Sequence, residues 1–382
     1  MPVNPQRDCD RKESAMRTIG NTLGALLLVA GLVQGAAAEE LYFANWSDYI
    51  GEDTIADFEA QTGIEVHYFE FDDIEELERV WIEEGRKFDL VVPSSENLPG
   101  YIRAGLLSKL DRERLPGWSR NDPQFMQRLQ SSDPDNEYAF PYLWGTVGIG
   151  YNVQAVREAF GGSLPEDKDS WNLLFDPDNL AKLDHCGVTL MRSPEEIFDV
   201  GLKYLGKEPD SMSMAHQLMV ANLLAKVRLH VTDFDSGEYA ENLASGRHCM
   251  VHGWSGDVLQ AQQMAREAGK PFDVRYIMPR EGFPLWIDVL AMPANAPNRD
   301  AAYKLMNYLL KPSVIAAITN QVQFANANLE AREFVDPELL ANPIVYPDPA
   351  ELDNVWIPES TESGVLALRH KLWNRIVERK AL

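Results

Sequence analysis

Apolar positions along the chain switch repeatedly between two periods. LYFANW, residues 41 to 46, reads as a strand. DTIADFEAQT, residues 53 to 62, sets Ile55, Phe58 and Glu59 on one helical face, with Gly63 as its stop. IEVHYFEF returns to the strand period. DIEELERVWIEEG predicts a second helix, capped by Asp72 or Asp73 and stopped by Gly85. FDLVVPSS is an unbroken apolar run, as expected of a parallel strand buried on both faces. Strand, helix, strand, helix, strand predicts an α/β domain on a mainly parallel sheet.

The pattern changes at YAFPYLWGTVGIGYNV, residues 138 to 153, which is extended and punctuated by glycine. It reads as a crossover between two domains. A mostly helical region follows, with strands near GVTLM and HCMVHGW. FDVRYIMPREG is a second extended stretch, ahead of PLWIDVLAMP. DAAYKLMNYLLKPSVIAAITN then predicts two helices broken at Pro312. Two crossings imply discontinuous domains: residues 39–142 with about 280–320, and 143–279 with about 321–382. That is the geometry of a two-lobed clamshell.

The N-terminus changes the picture. Arg11, Lys12 and Arg17 precede the apolar run LGALLLVAGLV and then Ala36-Ala37-Ala38, the layout of a cleavable secretory signal at residues 1–38, with cleavage after Ala38. Met16 is an alternative start to Met1. The run is too short to span a membrane, which takes about 20 residues. Residues 1–38 carry four basic and three acidic groups, so their removal takes the net charge from −24 to −25. That charge excludes nucleic acid as a partner, because phosphate binding needs a basic footprint. It suits a cationic ligand through long-range steering, and it equally suits the solubility of an exported protein. Cys9 lies in the leader. Cys186 and Cys249 remain as an even pair in an exported chain, and a disulfide between them is expected to stabilise the fold by about 4 kcal/mol. The other reading is two independent buried thiols.

In open parallel sheets, ligands bind beyond the carboxyl ends of the strands. There the chain places Trp46, Ser47, Asp48 and Tyr49; Ser94, Ser95 and Glu96; Ser193, Glu195 and Glu196; Trp254, Ser255 and Asp257; Trp286 and Asp288; Phe324 and Asn326. These are carboxylates, hydroxyls and aromatics, with almost no Lys or Arg. An anion site needs donors. This set offers acceptors and π-faces, which suit an alkylammonium, each aromatic face contributing roughly 0.5 to 2 kcal/mol. Each member alone has a structural reading as well. A tryptophan at a strand end packs the rim, an Asp after a strand caps a helix, and Glu195-Glu196 after Pro194 suits a first helical turn. The recurrence from strand to strand carries the signal.

NWSDYI, FDLVVPS, DPDN, PYLWGTVGIGYN, GWSGD, DVLAMP and FANAN resemble the periplasmic polyamine-binding proteins of ABC importers, the putrescine- and spermidine-binding receptors. The resemblance runs from about residue 40 to the C-terminus and is nearest to the putrescine-binding branch. It implies a two-lobed type II periplasmic-binding fold that closes on its ligand in the interlobe cleft. It also implies that Trp46, Ser47, Asp48 and Tyr49 form one wall, with a polar contact from Ser94. Glu196, Trp254 and Asp257 face the ligand from the other lobe, Asp288 is the principal ammonium anchor beside Trp286, and Phe324 completes the box. Cys186 and Cys249 fall at cysteine positions of that branch. Ser47 and Asp257 resemble the putrescine branch, whereas Trp286 resembles the spermidine branch and Phe324 stands where a Tyr is usual. Glu96 and Asn97 match neither pattern and, with Ser193, are the candidate specificity positions. The implied ligand is a putrescine-like or longer diamine, agmatine or spermidine. The implied partner is a membrane permease, and the implied protein is a monomer without cofactor or metal.

Two other readings compete. A sensor for a different amine, such as agmatine or cadaverine, would use the same clamshell. An exported amine-processing enzyme would need catalytic signatures, and neither HExxH nor GxSxG is present. His248 and His252 would share a face only on a helix, and their segment reads as a strand.

Overall fold

Eleven strands frame the computed structural model, which describes residues 39–348 and 351–378. The leader, its cleavage point, Met16 and Cys9 lie outside the described residues. β1 (Glu40–Trp46) pairs in parallel with β2 (Glu65–Phe71) and β3 (Leu90–Val91). Then come β4 (Ala139–Asn152), β5 (Val188–Leu190), β6 (Asp233–Phe234), β7 (Met250–Trp254), β8 (Val274–Ile277), β9 (Phe283–Ala291), β10 (Ala325–Asn326) and β11 (Val355–Trp356). Their order is β2-β1-β3-β9-β4-β7-β5-β6, with β8 and β10 paired to β4 and β11 to β9.

The sheets are mixed, not mainly parallel as the sequence pattern suggested. β9 runs antiparallel to β3 and β4, and β7, β8 and β10 run antiparallel to β4. Parallel pairing needs a long crossover between strands. The helices at Thr54–Thr62 and Ile74–Glu78 supply it for β1, β2 and β3. β9 instead arrives from the far side of the chain and lies back along β4. The extended stretch expected at 138–153 is β4 itself. Its first half pairs with β9 and β10, and its second half with β7 and β8. The ladder to β9 is interrupted between Pro141 and Trp144, where proline has no N–H to give.

The helix Thr54–Thr62 ends as expected at Gly63, in the left-handed region at φ 71°, its N–H donating to the Glu59 carbonyl at 2.8 Å. Asp73, not Asp72, caps the next helix by accepting the Glu76 N–H at 2.7 Å. That helix widens into a π-turn over Arg79–Glu83, which turns the consecutive Val80 and Trp81 both inward. Pro312 opens the helix Pro312–Val322 after the helix Arg299–Leu309, the break expected there.

Apolar packing falls into distinct clusters. Two are built around β1–β3, β9 and the start of β4, with Phe43, Phe71, Phe140 and Leu290. Two lie around the end of β4 and β5–β8, with Ile149, Trp171, Phe198, Tyr239 and Val251. Trp254 and Trp286 pack against a cluster from each set. Cys186 and Cys249 form a disulfide, Cα to Cα 5.4 Å, joining the turn before β5 to the start of β7. Among the described residues, no helix is long and apolar enough to cross a membrane.

Candidate functional site

At the end of β1 the chain makes a pinned corner. Buried Asn45 accepts the Trp46 N–H at 3.0 Å and donates from Nδ2 to the Tyr49 carbonyl at 3.2 Å. Tyr142 donates to the same carbonyl at 2.9 Å, and the Ser47 N–H donates to the Phe71 carbonyl at 3.1 Å. Asp48 occupies the left-handed region at φ 53°, a conformation Asp tolerates, and stays exposed. The effect is to turn Tyr49 inward, 5% exposed, while Trp46 packs on Phe71 with ring centres 4.6 Å apart.

Tyr49 meets two other predicted residues there. Its ring centre is 5.4 Å from Phe324 and 6.3 Å from Trp286, and those two rings are 5.1 Å apart. Glycines let these rings settle. A Cβ on Gly145, the cross-strand partner of Trp286, would lie 2.5 Å from the Trp286 ring, and one on Gly256 would lie 2.6 Å from Phe324. Trp286 and Asp288 share a face of β9 because strand side chains alternate. Asp288, 5% exposed, forms an antiparallel bridge with Ser94 and accepts the Ser94 hydroxyl at 2.5 Å.

A second group stands on β7 and the helix Ser255–Glu267 that follows it. Trp254 Nε1 donates to Glu196 Oε1 at 3.0 Å. Tyr239 donates its hydroxyl to Asp257 at 2.7 Å and accepts the Trp254 N–H at 3.0 Å. Tyr239 escaped the sequence reading: it opens a short helix, and nothing in its neighbours marks it. Asn45 and the two glycine seats escaped it for the same reason. Three residues from the strand-end set are occupied structurally. Ser193 caps the helix Pro194–Tyr204 through the Glu196 N–H, Ser255 accepts the Thr146 N–H, and Asn326 donates to Thr319. Asn97 is half-buried in the turn Ser95–Asn97, beside Glu96.

The electrostatics single out the carboxylates. Burial pushes Asp288 up to about 7, against the Ser94 and Tyr49 hydroxyls, although Tyr49 makes no formed hydrogen bond. Burial lifts Glu196 to about 7, opposed by Trp254 and reinforced by Glu195, Asp199 and Asp288. Asp257 also reaches about 7, by burial first, with Tyr239 opposing and Glu241 and Asp48 adding to it. Glu96 lies well above the usual carboxylate range, by burial and then by repulsion from Glu196, Asp199, Glu195 and Asp288. Glu96, Glu196 and Asp257 are each half-buried, and Glu196 Oε2 is buried without a partner. Burial first, then the charge of Asp288 and, less, that of Asp257 hold the Tyr49 hydroxyl well above its usual range. Among the described residues, none of Asp288, Glu196, Glu96 and Asp257 forms an ion pair.

His248 and His252 do not act together. His248 shares a 2.6 Å hydrogen bond with Thr189, and His252 is fully buried with neither ring nitrogen bonded. Glu75, Glu195 and His370 bring their polar atoms within 4.8 Å of one another, and the His370–Glu195 contact of 2.6 Å accounts for that grouping as an ion pair.

The family model for bacterial extracellular solute-binding proteins matches residues 53–347. The chain is 40% identical over 358 residues to the putrescine-binding periplasmic protein PotF of Escherichia coli K12, across 94% of this chain and 96% of the relative. It is 36% identical over 341 residues to a putrescine/agmatine-binding protein of Pseudomonas aeruginosa PAO1, across 89% and 92% of the two chains. Among solved structures it is similar to the spermidine/putrescine ABC transporter substrate-binding protein PotD of Streptococcus pneumoniae, with TM-score 0.72, 26% identity, and 88% of this chain and 98% of the other covered.

Proposed function

The chain belongs to the bacterial extracellular solute-binding proteins, a family of binders and not of catalysts, and on that premise we propose that it captures a polyamine outside the cytoplasm and delivers it to an ABC permease. The observation that carries the reading is the pair of acidic poles with aromatic walls between them. Asp288 stands at one pole with Ser94, and Glu196 and Asp257 flank Trp254 and Tyr239 at the other. Tyr49, Trp286, Phe324 and Trp254 line the interval. Ammonium ends pair with carboxylates through charge-assisted bonds. The methylenes between them are buried against the rings at about 0.8 kcal/mol each. The names of the relatives agree with a ligand of that kind.

The fold we propose is two-lobed, with the ligand enclosed between the lobes. One lobe holds residues 39–142 and about 280–346, and the other holds 143–279 and the C-terminal stretch beyond. The boundary drawn at 321 moves past Tyr346, because Phe324, Ala325, Ala327 and Val345 join the apolar clusters of β1, β3 and β9. Trp254 and Trp286, packed against clusters of both sets, support a cleft closed at this point. Closure is favoured by a ligand that only the closed state contacts from both sides.

A thermal-shift screen of the purified protein tests the reading, with putrescine, cadaverine, spermidine, agmatine and a set of amino acids. A ligand at 100 times its Kd adds about 2.7 kcal/mol of stability. A clear shift with an amine, absent with amino acids and abolished in a folded Asp288→Ala variant, is the expected result. A shift that survives Asp288→Ala would remove Asp288 as the anchor, and no shift with any amine would overturn the polyamine reading.

A further inference from the structure

On the two-lobed polyamine receptor proposed above, we infer that His370 is a proton-operated latch at the edge of the cleft: charged, it lets Glu75 of one lobe close beside Glu195 of the other, and neutral, it leaves those two carboxylates to hold the lobes apart. Three separate helices meet there. Glu75 lies on the helix Ile74–Glu78, Glu195 on Pro194–Tyr204 and His370 on Ser363–Val377. Their polar atoms lie within 4.8 Å of one another, and His370 Nε2 stands 2.6 Å from Glu195 Oε1. The first helix packs through Leu77 into the apolar cluster of Phe71. The other two pack through Ile197, Phe198, Leu372 and Trp373 into the cluster around the end of β4. The contact therefore crosses the proposed cleft, one residue from Glu196, which accepts the Trp254 indole N–H.

The charges that act on His370 are negative and come from two sides. Glu195 bonds to it, and Glu75 adds its charge from the facing helix, so together they hold His370 above the ordinary imidazole range against its partial burial. Glu75 is raised in turn, by burial first and then by Glu195 and Asp73, with His370 opposing. Glu96, in the turn Ser95–Asn97, feels the charge of Glu195 as well. On the helix of His370, Arg369 turns to Asp199 at 2.9 Å and Lys371 is exposed. The helix Met214–Val227 offers the uncharged Gln217, which Arg369 Nε engages at 3.0 Å.

Two like charges brought this close oppose closure, and a cation beside them removes the opposition. A histidine held up by partners in the closed state supports closure fully below its unperturbed midpoint of about 6.5, and that support is lost as pH rises through the raised one. The acids of the site run the other way. Asp288, Glu196 and Asp257 titrate at about 7 and are neutralised as pH falls. Acid that loosens their hold on an ammonium strengthens the latch, so the device levels affinity across the range in which the site itself titrates.

Calorimetric titration with putrescine at pH 6 and pH 8.5 tests the latch, each variant being compared with wild type at the same pH so that the site acids cancel. His370→Gln should bind about threefold more weakly at pH 6 and equally at pH 8.5, where wild-type His370 has lost its proton. Glu75→Gln should match wild type at pH 6, which also shows that it folds, and bind about threefold more tightly at pH 8.5, where only the repulsion from Glu195 remains. A His370→Gln deficit that ignores pH would mark a merely structural residue, and Glu75→Gln without effect at pH 8.5 would remove the contact across the cleft. Either result overturns the proposal. If putrescine gives no heat with wild type, the polyamine reading falls instead, and small-angle scattering of the ligand-free protein judges the latch. A radius of gyration larger at pH 8.5 than at pH 6 in wild type but not in Glu75→Gln sustains it, and equal radii overturn it.

Discussion

Tyr239→Phe removes one oxygen that serves both sides of the second acidic pole. That oxygen donates to Asp257 at 2.7 Å and accepts the Trp254 N–H at 3.0 Å. A hydrogen bond to a charged group is worth about 1.5–3 kcal/mol, or about one to two pKa units. Asp257 already titrates at about 7, with Tyr239 holding it down against burial. Without the hydroxyl its midpoint rises by that amount, and its ionised fraction at pH 7 falls from about a half to between about a tenth and a hundredth. If an ammonium of the ligand pairs with ionised Asp257, affinity at pH 7 falls about five- to fiftyfold. At pH 9 both proteins have ionised the group substantially, so the deficit shrinks to no more than about twofold. The unbonded Trp254 N–H adds a separate stability cost of about 1–3 kcal/mol, visible in the Tm of the ligand-free protein and indifferent to that pH change. Titration calorimetry at pH 7 and pH 9 with the best-bound amine measures the first effect, and a melt measures the second. A binding deficit of the same size at both pH values would show that the hydroxyl only positions Asp257. No deficit at either pH would show that Asp257 does not contact the ligand.

Gly145→Ala places a methyl group 2.5 Å from the Trp286 ring and 3.0 Å from Ser255 Oγ, so the ring must leave its seat. Ligand affinity should fall by about tenfold or more for a stability cost of about 1–3 kcal/mol, and Trp286→Phe in the same chain should recover part of the affinity. Equal affinities of Gly145→Ala and wild type would refute that role of the seat. His252 is buried, unpartnered and depressed to about 3 by that burial. The unfolded chain binds its proton near 6.5 and the folded chain does not, so the stability lost to this residue grows as pH falls from 6.5 towards 3, to about 5 kcal/mol. The acids Asp288, Glu196 and Asp257 shift the opposite way and favour the fold at low pH, so only a comparison isolates the histidine. The Tm of His252→Leu relative to wild type should climb steadily from pH 7 to pH 4, and a gap that ignores pH would refute the reasoning.

Much of the site was legible because its residues sit at strand ends, where local sequence marks both the strand and the turn beyond it. Tyr49, Trp254, Asp257, Trp286, Asp288 and Phe324 were named on that ground and on a family resemblance; Tyr49, Trp286 and Phe324 lie ring to ring, Asp288 is bonded to Ser94, and Trp254 and Asp257 meet at Tyr239. The extended character of residues 138–153 was legible because Gly145, Gly148 and Gly150 interrupt any helical period. Strand direction was not. Val91 pairs with Ala291 across 200 residues of sequence, and nothing local to either records which way its neighbour runs. Tyr239 was invisible for a related reason: its importance comes from Asp257 and the Trp254 amide, which tertiary packing brings to its hydroxyl. The π-turn at Arg79–Glu83 was missed because a helical pattern is silent about one extra residue in a turn.

The bond between Ser94 and Asp288 spans 194 residues, and it sets an order of events in the life of the chain. Synthesis releases β1 and β3 early, yet the partner strand that completes their sheet, and carries Asp288, comes from residues 283–291. Until that segment has emerged, the early strands have no neighbour on one side and the nascent polypeptide has no pocket. Such distant pairing slows folding, because a long loop must close before any contact rewards it. A nascent chain cut off before β9 therefore lacks both the strand that completes the sheet and the partner of Ser94.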